Sequence, residues 1–249
     1  MSGVVIVVPC YNEAERLDVA RFKEFARGLP RVRFLFVNDG SEDDTGRVLD
    51  ELRSEDPQAF GLCSLARNQG KAEAVRQGFL AAFESNPDYV GFWDADLATP
   101  LEAIPQFCDL LDRRPEIEIV FGSRVRLLGR HIERKALRHY LGRLFATVVS
   151  FVSGLKVYDT QCGAKLFRTS EVLMALFSAP FITRWLFDVE IIARLIRDRK
   201  GTGLPPPEDV IYENPLTDWR DVRGSKIKSG DFLKAIFELF LIRRKYLTR

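Results

Sequence analysis

The sequence predicts an α/β fold in which helices flank a mainly parallel sheet. From Val4 to Ser123, short apolar runs alternate with amphipathic helical patterns, and this alternation is typical of the βαβ units that build a parallel sheet. Every apolar run ends in a polar cluster. Because the carboxyl ends of parallel strands meet at one edge of a sheet, we expect all of these clusters to open on one crevice.

The predicted elements of the first half follow one another without a long break. The first strand, Val4 to Val8, is a continuous β-branched run that ends at Pro9, which favours a buried position in the sheet. Four further strands are predicted at residues 33–37, 61–65, 89–93 and 117–121, and helices at residues 14–27, 72–83 and 101–112, with one more helix led by Asp43 and Asp44.

The strand predicted at residues 89–93 ends in two carboxylates, Asp94 and Asp96, which are separated by one residue. Thr99 and Pro100 follow and can open a helix, since proline is favoured at the first helical position. Two carboxylates this close repel each other unless a cation lies between them, and a hard divalent ion that also binds substrate phosphates fits that need. A solvated turn is the alternative for this motif taken alone.

The ends of the first two strands offer groups that suit a nucleotide. Tyr11 and Glu13 follow the first strand, and Asp39 follows the second. An aromatic ring can stack on a base, and carboxylates accept hydrogen bonds from ribose hydroxyls. The chain has neither a GxGxxG fingerprint nor a GxxxxGK(S/T) loop, so the common dinucleotide and P-loop sites are not expected. Together with a metal at Asp94 and Asp96, these groups predict a nucleoside-diphosphate site.

The composition excludes several classes of protein. The chain of 249 residues has 37 basic and 35 acidic side chains and a net charge of +2, which gives no signature of nucleic-acid binding. Its four cysteines lack CxxC spacing and are expected to be reduced thiols of a cytosolic protein. The N-terminus has no signal-peptide pattern, and no apolar run approaches the ~20 residues of a membrane span. We therefore expect a soluble or peripheral protein.

Several segments of the chain resemble a known family of enzymes. VVPCYNE, FVNDGSEDDT, NQGKAEAVRQG and DADLATP, in this order, are similar to the family 2 inverting glycosyltransferases, which have the A-type fold. In the second half, DTQCGAKLFR, RWLFDVEII and RGSKI resemble dolichyl-phosphate glucosyltransferases in particular, with polyprenyl-phosphate mannose synthases as the next most similar group. Those synthases usually carry glutamine where Ala98 stands, which favours the glucosyl branch.

The resemblance implies a single nucleotide-diphospho-sugar transferase domain over residues 1–249, with a nucleotide-sugar-binding half at 1–123 and an acceptor-side half at 124–249. Residues implied in binding the nucleotide sugar are Pro9, Tyr11, Asn12, Glu13, Asp39, Lys71, Asp94 and Ala95. The same resemblance assigns Mg²⁺ or Mn²⁺ to Asp94 and Asp96 as the metal and catalytic pair. Arg124, Lys165 and Lys226 become candidates for contacts with donor or acceptor phosphate, and Asp188 and Glu190 for positions near the reacting sugar.

Three of these assignments have structural alternatives. Tyr11 could be a core aromatic residue, and Lys71 could be a residue on the exposed surface of its helix. Glu190 could be the buried partner of an arginine. These alternatives are open at the level of the sequence, because a single chain does not distinguish a ligand-binding side chain from a packed one.

The implied reaction moves a sugar, with inversion, from a nucleotide sugar to a polyprenyl or dolichyl phosphate. UDP-glucose is the favoured donor and GDP-mannose the alternative. Arg124, Arg134 and Arg138 offer bidentate donors that suit the acceptor phosphate. Two other functions stay open. One is transfer to a hydroxyl of a surface polysaccharide, with Asp188 or Glu190 as general base; the other is a non-catalytic module that binds nucleotide sugars.

Two basic segments beside apolar stretches favour attachment to a membrane surface. Residues 124–143 contain seven basic residues and one acid, and the apolar stretch 144–155 follows. Residues 232–247 form a helical pattern that ends in Arg243, Arg244 and Lys245. Such segments are typical of peripheral membrane proteins, although the apolar faces could simply pack on the sheet. We expect attachment at the cytoplasmic face of a membrane, assisted by self-association or a membrane partner.

Overall fold

The computed structural model describes residues 3–133, 146–150, 152, 154–155, 157–222 and 231–248. The strands in this part of the chain are β1 (Val4–Cys10), β2 (Val32–Asn38), β3 (Phe60–Ser64), β4 (Tyr89–Trp93), β5 (Ile119–Ser123), β6 (His131–Glu133), β7 (Ala164–Arg168), β8 (Ile211–Pro215) and β9 (Asp218–Arg220). The helices are α1 (Val19–Gly28), α2 (Thr45–Glu55), α3 (Lys71–Phe83), α4 (Ala103–Arg113), α5 (Glu171–Ser178), α6 (Phe187–Arg199), α7 (Pro207–Val210) and α8 (Asp231–Ile242). Residues 146–150 are also helical, and a π-helical turn at Arg243–Leu247 continues α8.

The chain divides into two compact units, Met1–Leu97 with Gly163–Pro180 and Ala98–Cys162 with Phe181–Arg249. In both units, helices accompany strands that pair mainly in parallel, which confirms the predicted α/β fold. The assignment of all 249 residues to one domain, with halves at 1–123 and 124–249, stays a prediction.

In the first unit, four parallel strands stand in the order β3-β2-β1-β4, and β7 pairs antiparallel with β4. The β-branched run of β1 is buried, as expected for a strand that has neighbours on both sides. Phe22 of α1 packs edge-on against Phe34 and Phe36 of β2, with ring centroids 5.1 Å apart in both pairs. These aromatic contacts hold α1 against the sheet.

Helix α1 begins five residues later than the apolar pattern predicts, at Val19 instead of residue 14. The intervening residues form tight turns, in which the amides of Arg16 and Leu17 both donate to the carbonyl of Glu13. The carboxylate of Asp18 then accepts from the amide of Arg21 at 3.0 Å and caps the helix. An aspartate at the N-cap satisfies one of the free amides of the first turn, so the helix starts directly after Asp18.

In the second unit, β5 pairs parallel with β8, and β6 pairs parallel with β9. A buried apolar cluster joins α6, α8, the π-helical turn and residues 146–150. Its members are Val149, Leu186, Val189, Ala193, Ala235, Leu239, Ile242 and Tyr246. The helix predicted over residues 232–247 is therefore present, and one of its faces is packed as an ordinary core face.

Several sequence-based expectations concern the chain as a whole. All four cysteines are free, and burial raises the pKa of the Cys10 thiol far above its usual range. No helix among the described residues is long and apolar enough to cross a bilayer. Arg134, Arg138 and Lys226, predicted to contact phosphate, lie outside the described residues.

Candidate active site

The predicted convergence of polar groups rests on the pairing of three neighbouring strands in the first unit. Cys10 at the end of β1 stands beside Asn38 at the end of β2, and Val7 of β1 stands beside Phe92 of β4. The segments that follow β1, β2 and β4 therefore leave the same edge of the sheet. These segments carry Tyr11, Asp39 and Asp94, which the structure places at one edge as the parallel pattern requires.

Asp39 fixes the loop that precedes α3. Its carboxylate is buried and accepts hydrogen bonds from the amides of Gln69 at 2.7 Å and Gly70 at 2.8 Å. The next residue, Gly40, has φ +62°, and a Cβ there would lie 2.3 Å from the carbonyl carbon of Arg67. Only glycine fits this position. Asp39 thus orients the start of α3, and its predicted contact with the nucleoside stays a prediction.

Lys71, the first residue of α3, contacts Asp94 of the predicted metal motif, Asp94 and Asp96. Its ammonium group forms an ion pair with Oδ1 of Asp94 and lies 5.7 Å from the ring centroid of Phe92. The ammonium of Lys165, a fully buried residue of β7, lies 5.1 Å from the same ring. A cation over an aromatic face is attracted by the ring quadrupole. The ion pair places Lys71 beside Asp94, and its assignment to the donor site stays a prediction.

Gly163 lies against the carboxylate of Asp94, a contact that the sequence pattern did not reveal. Strand β7 runs antiparallel to β4, so its first residues stand at the edge where β4 ends. The amide of Asp94 donates to the carbonyl of Gly163 at 2.9 Å. A Cβ on Gly163 would lie 1.9 Å from Oδ2 of Asp94. The absence of a side chain at residue 163 therefore creates the space that the Asp94 carboxylate occupies.

Arg16 pairs with Glu13 and is influenced by the charge of Asp96. Its guanidinium donates to the buried carboxylate of Glu13, with Nε to Oε2 at 2.9 Å and Nη2 to Oε1 at 2.6 Å. This hydrogen bond raises the pKa of Arg16, and the negative charge of Asp96 acts in the same direction. The amide of Glu13 donates to the hydroxyl of Thr45 at 2.8 Å. Arg16, which follows Glu13 by three residues, therefore supplies positive charge beside the acidic motif.

The backbone of the metal motif forms a turn with an unusual conformation. The amide of Leu97 donates to the carbonyl of Asp94 at 3.2 Å, and Leu97 has φ +52°. A positive φ is uncommon for a residue with a bulky side chain and costs roughly 1–3 kcal/mol. Such conformations persist where the surrounding structure holds the backbone in place. The turn thereby fixes the backbone that carries Asp94 and Asp96 directly after β4.

Four further residues of the predicted donor site also lie in the first unit. Pro9 and Tyr11 are half-buried. Ala95, which separates Asp94 from Asp96 in the sequence, is buried. Asn12 has φ +53°, and its side chain accepts from the amide of Glu42 at 2.9 Å. These contacts join the loops after β1 and β2. The assignment of these residues to donor binding stays a prediction.

The carboxylates of the site suit a metal ion whose coordination is completed by phosphates of the enzyme's substrate. No group of three or more histidine, cysteine, aspartate or glutamate side chains suited to a metal occurs in the described ranges. Mg²⁺ and similar hard cations are commonly held by one or two carboxylates, with substrate phosphates completing the coordination. Asp94 and Asp96 provide two such carboxylates at the end of β4, so the residues present fit the predicted ion.

In the second unit, Arg124 is held in a fixed orientation at the end of β5. Its guanidinium donates to both oxygens of Asp159, at 2.6 and 2.7 Å, and lies 5.3 Å from the ring of Trp219. The amides of Tyr158 and Asp159 in turn donate to the carboxylate of Glu213, each at 2.7 Å. The bidentate pair between Arg124 and Asp159 is a strong interaction, because two charge-assisted hydrogen bonds form in parallel. The role of Arg124 in binding a phosphate stays a prediction.

Glu190 is the buried partner of an arginine, one of the two alternatives that the sequence left open. It lies with Asp188 in the first turn of α6, and both side chains are buried. The Glu190 carboxylate accepts from Arg194 at 2.8 Å and from the hydroxyl of Tyr246 at 2.8 Å. It also accepts from the amides of residues 182 and 183 and from the hydroxyl of Thr183. A catalytic role for Asp188 or Glu190 stays a prediction.

Tyr246→Phe is expected to lower the free energy of unfolding by about 1.5–3 kcal/mol, the usual contribution of a hydrogen bond to a charged group. Burial, together with the hydrogen bond to Glu190, already raises the pKa of Tyr246. Urea denaturation measures the change. Tyr212→Phe is the matched control, because the ring of Tyr212 contacts Arg114 and not a buried carboxylate. An equal loss in both variants would contradict the assigned bond.

The chain belongs to glycosyl transferase family 2, whose family model matches residues 5–172. It is therefore a glycosyltransferase, and the predicted family is confirmed. The chain is 31% identical over 266 residues to the dolichyl-phosphate beta-glucosyltransferase of Saccharomyces cerevisiae, covering 97% of this chain and 74% of that protein. It is 32% identical over 260 residues to the corresponding enzyme of Mus musculus, covering 98% and 75%.

A solved structure confirms the fold. The glucosyl-3-phosphoglycerate synthase of Mycobacterium tuberculosis, in complex with Mn²⁺, UDP-glucose and phosphoglyceric acid, superposes with a TM-score of 0.64. The two proteins are 20% identical, and the match covers 98% of this chain and 80% of the synthase. At this identity the likeness supports the A-type glycosyltransferase fold alone.

Proposed function

We propose that this glycosyltransferase moves glucose from UDP-glucose to a polyprenyl or dolichyl phosphate, with inversion at the anomeric carbon. The observation that carries the proposal is the similarity to dolichyl-phosphate beta-glucosyltransferases over nearly the whole chain, at 31% identity across 97% of its length. The arrangement of charges in each compact unit supports the two halves of this reaction.

The donor is assigned to the edge of the first unit where β1, β2 and β4 end. Asp94 and Asp96 would hold Mg²⁺ or Mn²⁺, which when bound offsets the charge that develops on the departing nucleoside diphosphate. Lys71 pairs with Asp94, and Arg16 lies beside Glu13 and the charge of Asp96. Both side chains thus place positive charge beside the acidic groups of the site. The half-buried ring of Tyr11 and the carboxylate of Asp39 are assigned to the nucleoside.

The acceptor is assigned to a phosphate because a phosphate needs no general base. Its second pKa lies near 6, so the nucleophile is already largely anionic at neutral pH. A hydroxyl acceptor would need a carboxylate that is able to take a proton. Glu190 is a weak candidate for that task, since Arg194, Tyr246 and three further donors already bond to its oxygens. This saturation argues against Glu190 as the base that a polysaccharide hydroxyl would need, and leaves Asp188 as the carboxylate for that alternative.

Incubation of the protein with radiolabelled UDP-glucose, Mn²⁺ and polyprenyl phosphate is expected to move label into the organic phase. When a free sugar replaces the polyprenyl phosphate, or when no acceptor is added, the label should remain in the aqueous phase. Asp94→Asn, which keeps the size of the side chain and removes its charge, is expected to lose the transfer. The matched control is Asp109→Asn, which lies on the exposed surface of α4.

Three outcomes would contradict the proposal, each in favour of a different function. Transfer from GDP-mannose but not from UDP-glucose would identify a polyprenyl-phosphate mannosyltransferase. Label on a water-soluble glycan, with none on the lipid, would identify an enzyme that uses hydroxyl acceptors. Nucleotide-sugar binding without hydrolysis or transfer to any acceptor would identify a binding module.

A further inference from the structure

Helix α8 has a second apolar face, opposite the one that packs in the core of the second unit. Ala235, Leu239 and Ile242 are buried in the apolar cluster shared with α6. Ile236, Phe237 and Phe240, by contrast, are exposed by 46%, 61% and 58%. Residues separated by three or four positions share one side of a helix, and Phe240 stands in this relation to both Phe237 and Ile236. These three residues, the outer face of α8, therefore form one continuous apolar surface.

Two buried contacts fix the orientation of this helix. Glu238 accepts from the backbone amides of Trp185 and Leu186 at 3.2 and 2.9 Å, directly before α6. Tyr246 donates to Glu190 at the other end of the same helical segment. Both contacts lie on the side of the segment that faces α6. The helix therefore cannot turn its outer face inward without losing bonds to buried or backbone groups.

The outer face is bordered by positive charge. Lys234, Arg243, Arg244 and Lys245 are exposed. Glu238 is the sole acid between residues 232 and 248 of the sequence, and its carboxylate is directed to the amides before α6. The exposed charge along this segment is thus basic throughout. An apolar surface with a basic border is complementary to an anionic lipid surface, where acyl chains accept the rings and headgroups accept the cations.

We propose that the outer face of α8 docks the protein on an anionic lipid bilayer, lying in the interface without crossing it. The proposal rests on the proposed function only in that a lipid-linked acceptor gives the docking its purpose. A second copy of the chain fits the face less well. Whether two such helices paired parallel or antiparallel, Lys234 or the basic residues 243–245 of one copy would meet cations of the other, and like charges repel.

The test is flotation with vesicles of phosphatidylcholine and phosphatidylglycerol, without nucleotide sugar and without polyprenyl phosphate. The wild-type protein is expected to float with these vesicles and to remain at the bottom with phosphatidylcholine alone. Phe237→Ser with Phe240→Ser is expected to lower the partition coefficient by at least about tenfold. The variant lacks both aromatic rings and therefore buries much less apolar surface in the bilayer. Arg243→Gln with Arg244→Gln is expected to lower it by about fivefold per residue.

Matched controls separate this surface from general effects of hydrophobicity and charge. Leu204→Ser removes an apolar side chain of similar exposure, 49%, from another part of the surface. Arg47→Gln with Arg53→Gln removes the same charge from the exposed side of α2. Both controls should float like the wild type. All variants should keep the melting temperature of the wild type, since the altered side chains are exposed.

The proposal is overturned if the wild-type protein does not bind the anionic vesicles, or if the two serine substitutions leave binding unchanged. It is also overturned if light scattering shows a dimer that the serine substitutions dissociate, because a second copy would then cover the face. Transfer to a short-chain polyprenyl phosphate that dissolves without vesicles tests the proposed function separately. If the wild-type protein floats with the vesicles but does not transfer sugar to this acceptor, the proposed function is contradicted and the proposed docking surface is not.

Discussion

Asp96→Ala is expected to abolish the metal-dependent binding of UDP-glucose, weakening it by about 100-fold or more. The reason is that the motif offers two carboxylates, and removal of groups that merely support a metal ligand already costs about 10–100-fold in affinity. Titration calorimetry in the presence of Mn²⁺ measures the change. A chelator should lower the affinity of the wild-type protein to the same level and should have little effect on the variant.

Asp50→Ala is the matched control, because it removes an exposed carboxylate of α2 that pairs with Arg53 far from the motif in sequence. Its affinity and melting temperature should match those of the wild type. The hydrogen bonds between Arg16 and Glu13 remain available in the Asp96 variant, so this variant should also remain folded. Binding by Asp96→Ala that equals the wild type with and without chelator would refute the metal site.

Gly163→Ala is expected to lower kcat/KM for UDP-glucose by up to about 100-fold, while the protein remains folded. A Cβ at this position would lie 1.9 Å from Oδ2 and 2.2 Å from the carboxyl carbon of Asp94. The carboxylate must therefore move, and a displacement of about 1 Å at a reacting centre can cost about 100-fold in rate. The side chain of Asp94 can rotate away, so the loss of stability should be about 1 kcal/mol or less.

Gly28→Ala provides the control, since a Cβ at Gly28 meets nothing within 4 Å. It should leave kcat/KM and the melting temperature unchanged. In the Gly163 variant, the affinity for Mn²⁺ should fall together with kcat/KM, because both depend on the placement of Asp94. A Gly163→Ala protein with wild-type activity would show that the carboxylate position is not critical. If the Gly163→Ala protein unfolds, the added methyl group displaces the backbone at the start of β7 and not the carboxylate of Asp94.

The parts of the molecule that sequence patterns predicted well are those with a local signal. Strand β4 begins and ends at the predicted residues, 89 and 93, because a short apolar run stops abruptly at two carboxylates. Helix α3 starts one residue before its predicted start. Helix α1 was placed too early because the apolar spacing continues through residues 14–18, where the turns after Glu13 and the Asp18 cap decide the backbone.

The contacts that sequence patterns missed join distant parts of the chain. Gly163 meets Asp94 only because β7 enters the sheet antiparallel beside β4, and no periodicity encodes that insertion. Asp159 meets Arg124, and Tyr246 meets Glu190, through packing in the second unit. Glu190, Tyr246 and Gly163 are visible in the sequence, and the segment that contains Gly163 resembles glucosyltransferases. Their partners, however, are set by strand order and helix packing.

The sequence by itself determined the alternation of strands and helices, the edge at which Tyr11, Asp39 and Asp94 collect, and the amphipathic character of residues 232–247. These features follow from side-chain periodicity, which reports the local backbone. Only the tertiary structure decided that Glu190 is enclosed by hydrogen-bond donors and that the outer face of α8 is exposed. Burial and hydrogen bonding are properties of groups brought together from distant positions, so they become definite only when the chain has packed.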